Sequence, residues 1–265
     1  MRITHLMENR LYFSIIFTCI FITPLLAILF NLDFSYFVSE QGMYGKSPLK
    51  FNQYFLTFLF VMTETVSFPY GVLTGSLVVL TVGRMLFFNK KQIIGLFAII
   101  SLCILVGLSI KMGIKQLTSE PRPYLIWLSM IKDGMPFDLT SYYELTRSNK
   151  EEVLKHIIYQ PALESWNIPP YLAEHWIIDK SYRFPSGHTF YATFFAFFSA
   201  YILPKKNYGF AFLLGAWAVI VMLSRLYLGM HIPIDLVGGV IIALLATTLA
   251  AILVKFFLFR PFFTL

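Results

Sequence analysis

A histidine and an aspartate in the last part of the chain have the side chains and the spacing for nucleophilic chemistry. His231 and Asp235 are four residues apart, which puts both side chains on one face of a helix. A carboxylate bonded to one ring nitrogen fixes the histidine tautomer and makes the other nitrogen more basic. The pair therefore predicts a nucleophilic His231 oriented by Asp235. Pro233 would lie in the first turn of a helix, and Arg225 would end the preceding apolar stretch.

The sequence Pro185-Ser186-Gly187-His188 precedes an apolar block and is typical of a turn that leads into a helix. The first N–H groups of a helix have no partner within it, and the positive end of the helix dipole favours an anion. Gly187 would let the backbone approach a phosphate closely, and Ser186 offers a hydroxyl donor. His188 is a candidate general acid for a leaving oxygen.

A third segment contains Lys115, six further residues and then Arg122-Pro123. Arginine presents a planar fork that matches phosphate oxygens, whereas lysine acts as a point charge. Each segment alone is compatible with an ordinary interfacial anchor or helix cap. Together they indicate a phosphate site, because all three fall at the same predicted membrane boundary, where ionisable groups are costly. No Cys/His spacing typical of a metal site accompanies them, so the sequence predicts no metal and no other cofactor.

The composition indicates an all-α membrane protein. The chain is 57% hydrophobic and 13% charged, whereas a soluble domain carries about 25% charged residues. At about 20 residues per span, the apolar blocks predict six transmembrane helices. Pro69 interrupts the second block, which predicts a kinked helix or a short interfacial helix followed by a span. The blocks lie near 11–32, 54–88, 92–113, 189–204, 208–228 and 232–259.

The basic residues predict the orientation. With six spans, the side that holds both termini carries nine basic residues and one acid, Glu8, and short loops rich in Lys and Arg stay cytoplasmic. The polar segment at about 115–184 would then form a small helical cap outside the membrane, within a single domain covering residues 1–265. In a bacterium this predicts the inner membrane, with the site facing the periplasm. The same distribution explains the net charge of +7 without nucleic acid, so membrane lipids are the predicted partners and no obligatory protein partner is evident.

Two further acids are possible accessory residues. Glu64 lies in an apolar block, where it would be either a charge near the substrate groove, a partner for a site base, or an outer-interface residue. Asp179, nine residues before His188, could face the mouth of the site and tune substrate choice, although a solvated loop acid is the simpler interpretation. His156 and His175 are interpreted as ordinary cap residues.

The three segments together match the pattern Lys-x6-Arg-Pro, Pro-Ser-Gly-His and Ser-Arg-x5-His-x3-Asp, with no departures. In this the chain resembles the type 2 phosphatidic acid phosphatase (PAP2) superfamily. The stretches 63–66, 120–127, 168–172 and 175–176 are similar to a branch of that family from Gram-negative bacteria. The likeness spans most of the chain and is clearest between about 60 and 235.

The resemblance implies a six-span phosphatase that works through a phosphohistidine intermediate at the periplasmic face. His231 would attack the phosphorus, with Asp235 orienting it, and His188 would protonate the leaving oxygen and later activate water. Family members of this kind act on phosphatidylglycerophosphate, undecaprenyl pyrophosphate and related lipid phosphates. The residues implied to hold the phosphoryl oxygens are Lys115, Arg122, Ser186, Gly187 and Arg225.

Other functions remain open from the residues alone. A lipid phosphotransferase of the same superfamily would pass the phosphoryl group to an acceptor other than water, and the sequence does not separate it from a hydrolase. A vanadate-dependent haloperoxidase has a similar pocket but is soluble, which the apolar blocks disfavour. An anion-binding transporter would not explain the paired His231 and Asp235 beside a second histidine.

Overall fold

The computed structural model describes residues 10–32, 53–130, 138–160, 168–179 and 181–259, and within these ranges every regular element is a helix. The predicted all-α class is therefore confirmed for this part of the chain. The helices are α1 (Arg10–Leu29), α2 (Gln53–Glu64), α3 (Tyr70–Met85), α4 (Lys90–Thr118), α5 (Pro123–Met130), α6 (Leu139–Glu144), α7 (Arg147–Ile158), α8 (Pro170–Ile178), α9 (Gly187–Ile202), α10 (Tyr208–Tyr227) and α11 (Pro233–Phe257), with a 3-10 turn at Lys205–Asn207 before α10.

Four stretches are long and apolar enough to cross a membrane: Tyr12–Leu29, Lys90–Met130, Lys205–Tyr227 and Pro233–Phe257. They contain α1, α4, α10 and α11, and they mark the chain as a membrane protein. The other two predicted spans correspond to α3 and α9, which have 16 residues each. At about 1.5 Å per residue such a helix is shorter than a hydrocarbon core of about 30 Å. The count of six spans therefore stays a prediction.

The second apolar block is divided into two helices, as Pro69 predicts. Helix α2 ends at Glu64, and α3 begins at Tyr70 with Pro69 as its N-cap. Proline has no N–H to donate and clashes with the preceding turn of a continuous helix. The short connection between these helices brings polar side chains from Thr63 to Ser67 to the end of the bundle that holds the three predicted site segments.

Helix α9 lies at the centre of the bundle and packs against α11, α10, α1 and α4. Its phenylalanines are at most 2% exposed, as expected for a helix that is apolar on all sides. Helix α11 approaches it closely at Gly239, where a Cβ atom would lie 2.7 Å from the Ser186 carbonyl oxygen. This close packing fixes the N-terminus of α9 against the start of α11. The buried phenylalanines are Phe190, Phe194, Phe195, Phe197 and Phe198.

Helices α5 to α8 form a second apolar cluster over the connection between α10 and α11. Tyr124 and Trp176 stack with ring centroids 5.0 Å apart, and the indole N–H of Trp176 donates to the Leu228 carbonyl oxygen at 2.9 Å. A helical cap is thus present in the described residues, while its periplasmic location stays a prediction. Residues 131–137, 161–167 and 180 of the predicted cap lie outside the described residues.

Helix α4 overlaps the predicted start of the cap at about residue 115. Helix α4 does not stop with the apolar block at 113 but continues to Thr118, where Ser119 has the left-handed conformation (φ 48°). Lysine favours helix as strongly as most apolar residues. The side chain of Lys115 is directed inward and is 5% exposed, so the polar residue extends the helix instead of ending it. Lys115 consequently belongs to the last turn of α4.

Candidate active site

The three predicted segments converge at one end of the bundle, and His231 and Asp235 lie at the centre. Both are buried, at 1% and 0% exposed. His231 Nδ1 is 3.2 Å from Asp235 Oδ2, and the same oxygen accepts the Ile232 N–H at 3.0 Å. Helix α11 begins only at Pro233, so the predicted shared helix face was wrong for His231. The contact forms because Asp235, in the first turn, reaches back to the residues that precede the helix.

The connection from α10 to α11 holds His231 against Arg225. The N–H groups of Met230 and His231 both donate to the Arg225 carbonyl oxygen at 3.1 Å. Gly229 makes this turn with a φ of 71°, a left-handed conformation that glycine adopts without a steric penalty. The nucleophile candidate and the buried arginine are therefore neighbours through the backbone itself.

The Pro-Ser-Gly-His segment forms the start of α9, as predicted. Ser186 is the N-cap, and its Oγ accepts from the Thr189 N–H at 3.3 Å and from the Thr189 hydroxyl at 3.0 Å. The Ser186 N–H donates to the Asp235 carbonyl oxygen at 3.0 Å, which ties this turn to α11. The N–H groups of Gly187 and His188 belong to the first turn and have no acceptor within the helix. These two groups and the proton of the Ser186 hydroxyl are suited to an anion.

Arg122 is 2% exposed and is used mainly to hold the site together. Its Nε donates to the Ser181 carbonyl oxygen at 2.7 Å, and its Nη2 donates to Ser181 Oγ and Asp179 Oδ1, both at 2.8 Å. Its Nη1 donates to the Met230 carbonyl oxygen at 3.2 Å. Lys115 points to the same loop and donates to Ser181 Oγ and to the Tyr182 carbonyl oxygen. Both cations therefore contribute positive potential near the site while most of the Arg122 donors are already engaged.

Arg225 is fully buried, and its donors are only partly satisfied. Its Nη1 donates to Thr63 Oγ1 at 3.0 Å and lies 3.3 Å from His175 Nε2. Its Nη2 is 3.7 Å from Asp179 Oδ2, close enough for an ion pair but too long for a hydrogen bond. Among the described residues, neither Nε nor Nη2 has a hydrogen-bond acceptor. Buried charged donors without acceptors are costly, so this side chain is arranged for an anion.

Asp179 is an ion-pair partner of the arginines, so its interpretation as a solvated loop acid was wrong. The carboxylate lies 2.8 Å from Arg122 Nη2 and is 24% exposed. Burial by itself would raise the pKa of Asp179, but the positive charges of Arg122 and Arg225 outweigh it and hold that pKa well below its usual range. Asp179 therefore carries a negative charge at neutral pH and partly balances the buried cations.

Glu64 also lies in the site network. Its Oε1 is 3.3 Å from His175 Nδ1 and accepts from the Ser67 hydroxyl at 3.2 Å. Ser67 Oγ is in turn 3.1 Å from His188 Nε2. Burial lowers the pKa of His175; the Glu64 carboxylate raises it and the charge of Arg225 lowers it, with a net shift downward. His175, interpreted from sequence as an ordinary cap residue, thus connects Glu64 to Arg225.

Two basic side chains were missed from the sequence. Arg183 donates to Asp235 Oδ1 at 2.5 Å and to Glu120 Oε2 at 3.0 Å. Lys111 is one turn before Lys115 on α4 and contacts Gly187, where a Cβ atom would lie 3.2 Å from Lys111 Nζ. Helical spacing from Lys115 could have indicated Lys111. Arg183 offered no comparable signal, because its contacts depend on how the loop before α9 folds.

Among the described residues, no group of three or more His, Cys, Asp or Glu side chains is arranged to hold a metal ion. The expectation of a site without a metal or other cofactor stays a prediction.

Comparisons with known proteins agree with this geometry. The profile of the PAP2 superfamily matches residues 95–258, a range that contains all three segments. Phosphatidylglycerophosphatase B of Escherichia coli (strain K12) is 38% identical over 185 residues, covering 69% of this chain and 70% of the relative. Phosphatidylglycerophosphatase B of Haemophilus influenzae is 29% identical over 212 residues, covering 78% and 83%. Human sphingosine-1-phosphate phosphatase 2 is 34% identical over 103 residues, or 37% of this chain and 25% of that protein. The resemblance to a Gram-negative branch is thereby confirmed.

Proposed function

Because this chain belongs to the PAP2 superfamily and is a phosphate ester hydrolase of the membrane, we propose that it hydrolyses lipid phosphates through a phosphohistidine formed on His231. The observation that carries the proposal is Arg225, which is fully buried and has two donor nitrogens without a hydrogen-bond acceptor in the part of the chain that the structure describes. A phosphoryl group beside this guanidinium would supply those acceptors. The same group would lie next to His231, since the His231 N–H is bonded to the Arg225 carbonyl oxygen.

In the first step, Nε2 of His231 attacks the phosphorus. Its Nδ1 is bonded to Asp235, which leaves Nε2 as the basic nitrogen. A P–N bond forms while the bond from phosphorus to the lipid oxygen breaks. His188, protonated at the start, gives its proton to that oxygen, so the lipid leaves as an alcohol or, from a pyrophosphate, as a lipid monophosphate.

Charge that develops on the phosphoryl oxygens is stabilised by donors that are already in place. The Arg225 guanidinium, the Ser186 hydroxyl and the N–H groups of Gly187 and His188 would donate directly. Lys115 and Arg122 add positive potential from a greater distance, since most of their hydrogen bonds go to the loop at 181–182 and to Met230.

In the second step, water hydrolyses the phosphohistidine. His188, now neutral, accepts a proton from the attacking water. The P–N bond breaks, His231 recovers its lone pair, and inorganic phosphate is formed. His188 is then protonated again, ready for the next substrate.

The proposed substrates are phosphatidylglycerophosphate, undecaprenyl pyrophosphate and related lipid phosphates. The similarity to bacterial phosphatidylglycerophosphatase B supports this choice, and so does the burial of the site at the end of apolar helices. We place the protein in the bacterial inner membrane as one domain with six spans, both termini cytoplasmic and the site periplasmic. The distribution of basic residues supports that orientation, and we propose membrane lipids as its partners, with no obligatory protein partner.

The test is phosphate release by the purified protein in detergent. Phosphatidylglycerophosphate, undecaprenyl pyrophosphate, phosphatidate and diacylglycerol pyrophosphate form the panel. His231→Ala and His188→Ala should lose release from every lipid while they elute normally in size-exclusion chromatography. His156→Ala is the matched control, because His156 is exposed on α7. Near-normal turnover by His231→Ala would overturn the mechanism, and transfer of phosphate to an added alcohol in preference to water would favour a phosphotransferase.

A further inference from the structure

The segment between α2 and α3 contacts the candidate site at three positions. Thr63 accepts from Arg225 Nη1 at 3.0 Å. Glu64 lies 3.3 Å from His175, and Ser67 lies 3.1 Å from His188. None of these residues belongs to the three motifs, although two of them are bonded to residues that do.

The directions of these hydrogen bonds follow from the number of protons available. The Ser67 hydroxyl has a single proton, which it donates to Glu64 Oε1 at 3.2 Å. Ser67 Oγ must therefore accept from His188, so the proton of His188 lies on Nε2. Likewise Arg225 can only donate to His175 Nε2, so His175 carries its proton on Nδ1 and donates it to Glu64. Both chains of hydrogen bonds end on the one carboxylate of Glu64.

We infer that Glu64 and Ser67 are positioning residues for His188: Ser67 holds its Nε2, Glu64 orients Ser67, and Nδ1 is the nitrogen that exchanges a proton with the substrate. The inference rests on the proposed role of His188 as general acid. In the step concerned, the P–O bond breaks as the P–N bond to His231 forms, and the leaving oxygen takes its proton from Nδ1. The Nε2 proton stays in the bond to Ser67 throughout.

The charges around His188 explain why it needs such support. Burial disfavours a positive charge on His188, and so do the nearby Arg225, His175, Arg122 and His231. Lys111 approaches from α4 at Gly187, whereas Asp179, which pairs with Arg122, favours a positive charge on His188. Glu64, acting through Ser67, is the carboxylate that reaches His188 from the α2 side. Each histidine thus has a carboxylate partner. Asp235 contacts His231 directly, and Glu64 reaches His188 through the Ser67 hydroxyl.

Substrates with different leaving groups separate this positioning role from a purely structural one, which would affect all substrates equally. An alkyl oxygen must be protonated as it departs, whereas a nitrophenolate is stable enough to leave as an anion. Ser67→Ala and Glu64→Gln should reduce kcat/KM on phosphatidate by about 100-fold, the lower range for general acid catalysis. On p-nitrophenyl phosphate the kcat/KM of the same variants should fall by less than about tenfold, because departure of nitrophenolate depends little on the acid. We compare kcat/KM because it excludes hydrolysis of the phosphohistidine, in which His188 acts as base for both substrates.

Matched controls separate this effect from damage to the fold. Ser67→Thr keeps the hydroxyl and should retain most of the activity on both substrates. Ser109→Ala removes an exposed hydroxyl that bonds within α4, and Glu174→Gln neutralises an exposed acid on α8; both should behave as wild type. If Glu64→Gln does not fold, Ser67→Ala decides the matter.

The His188→Ala variant separates the role of His188 as general acid from the positioning role of Ser67 and Glu64. It should show the same selective loss on phosphatidate; if it does not, the proposed general acid itself is wrong. If His188→Ala shows the selective loss but Ser67→Ala and Glu64→Gln lose both substrates equally, or neither, the positioning role is overturned and the general acid stands.

Discussion

Replacing Asp235 with Asn probes the most specific feature of the site, because the amide keeps the shape and removes the charge. Asp235 Oδ2 accepts from Ile232 N–H at 3.0 Å and lies 3.2 Å from His231 Nδ1, while Oδ1 accepts from Arg183 at 2.5 Å. An amide has one oxygen and one NH2 group, so it cannot accept on both sides. Either Arg183 or His231 would then face a donor in place of an acceptor.

The expected loss follows from these contacts. A hydrogen bond to a charged group contributes about 1.5–3 kcal/mol, which corresponds to roughly 10- to 150-fold in rate at about 1.4 kcal/mol per factor of ten. A wrong histidine tautomer costs more, about 10⁴-fold in kcat for the corresponding change in a serine protease. We therefore expect Asp235→Asn to lower kcat by about 10²- to 10⁴-fold. KM should change little, because Arg225 and the N-terminus of α9 remain in place.

The assay is initial-rate phosphate release from phosphatidate over a range of lipid concentrations in mixed micelles. Arg183→Ala is the control, since it removes the other partner of Asp235 and leaves the bond to His231 intact; its loss should be less than that of Asp235→Asn. A folded Asp235→Asn protein with kcat within threefold of wild type would refute the assignment of His231 as a nucleophile oriented by Asp235.

Other predictions address charge, chemistry and packing. Asp179→Asn should lower the apparent melting temperature in detergent at pH 7, because the folded protein holds the pKa of Asp179 well below its usual range and so gains from the charged form. That difference should be constant from about pH 6 to 8 and shrink only below about pH 4, near the pKa of a free aspartate; a difference that grows on acidification would contradict it. Vanadate should inhibit phosphate release by occupying the phosphoryl position, and EDTA should leave the rate unchanged; a strict need for added magnesium would count against the proposed chemistry. Gly239→Ala should destabilise the protein by about 1–3 kcal/mol through overpacking, since its Cβ would lie 2.7 Å from a carbonyl oxygen, whereas Gly209→Ala, with nothing within 4 Å, should not; equal melting temperatures would contradict the packing.

The parts of the site that could be predicted from the sequence depend on local geometry. Pro69 and Pro233 mark a helix break and a helix start because proline fixes the backbone around it. The turn at Ser186 and Gly187 has the side chains of an N-cap. Even there the helix start was misjudged by a few residues, because Asp235 can bond to His231 whether or not His231 is helical.

The parts that could not be predicted depend on packing between distant segments. Ser67 and His188 are 121 residues apart, and Thr63 and Arg225 are 162 residues apart. These contacts exist because α2 packs on α10, and no local pattern in either helix indicates that pairing. The surroundings of Asp179 were misjudged for the same reason, since its partners come from the connection between α4 and α5, from α10 and from the loop before α9.

The unsatisfied donors of Arg225 also bear on the order in which products depart. Once the lipid alcohol has diffused into the bilayer, inorganic phosphate remains among Arg225, Ser186 and the first turn of α9, where it accepts from the two Arg225 nitrogens that have no acceptor among the described residues. When phosphate leaves, those buried donors lose their acceptors again, which is unfavourable in free energy. Phosphate should therefore be the last and slowest product to leave. A ligand that binds only the folded state stabilises it; free phosphate should therefore raise the melting temperature and compete with substrate, and both effects should diminish together in Arg225→Lys.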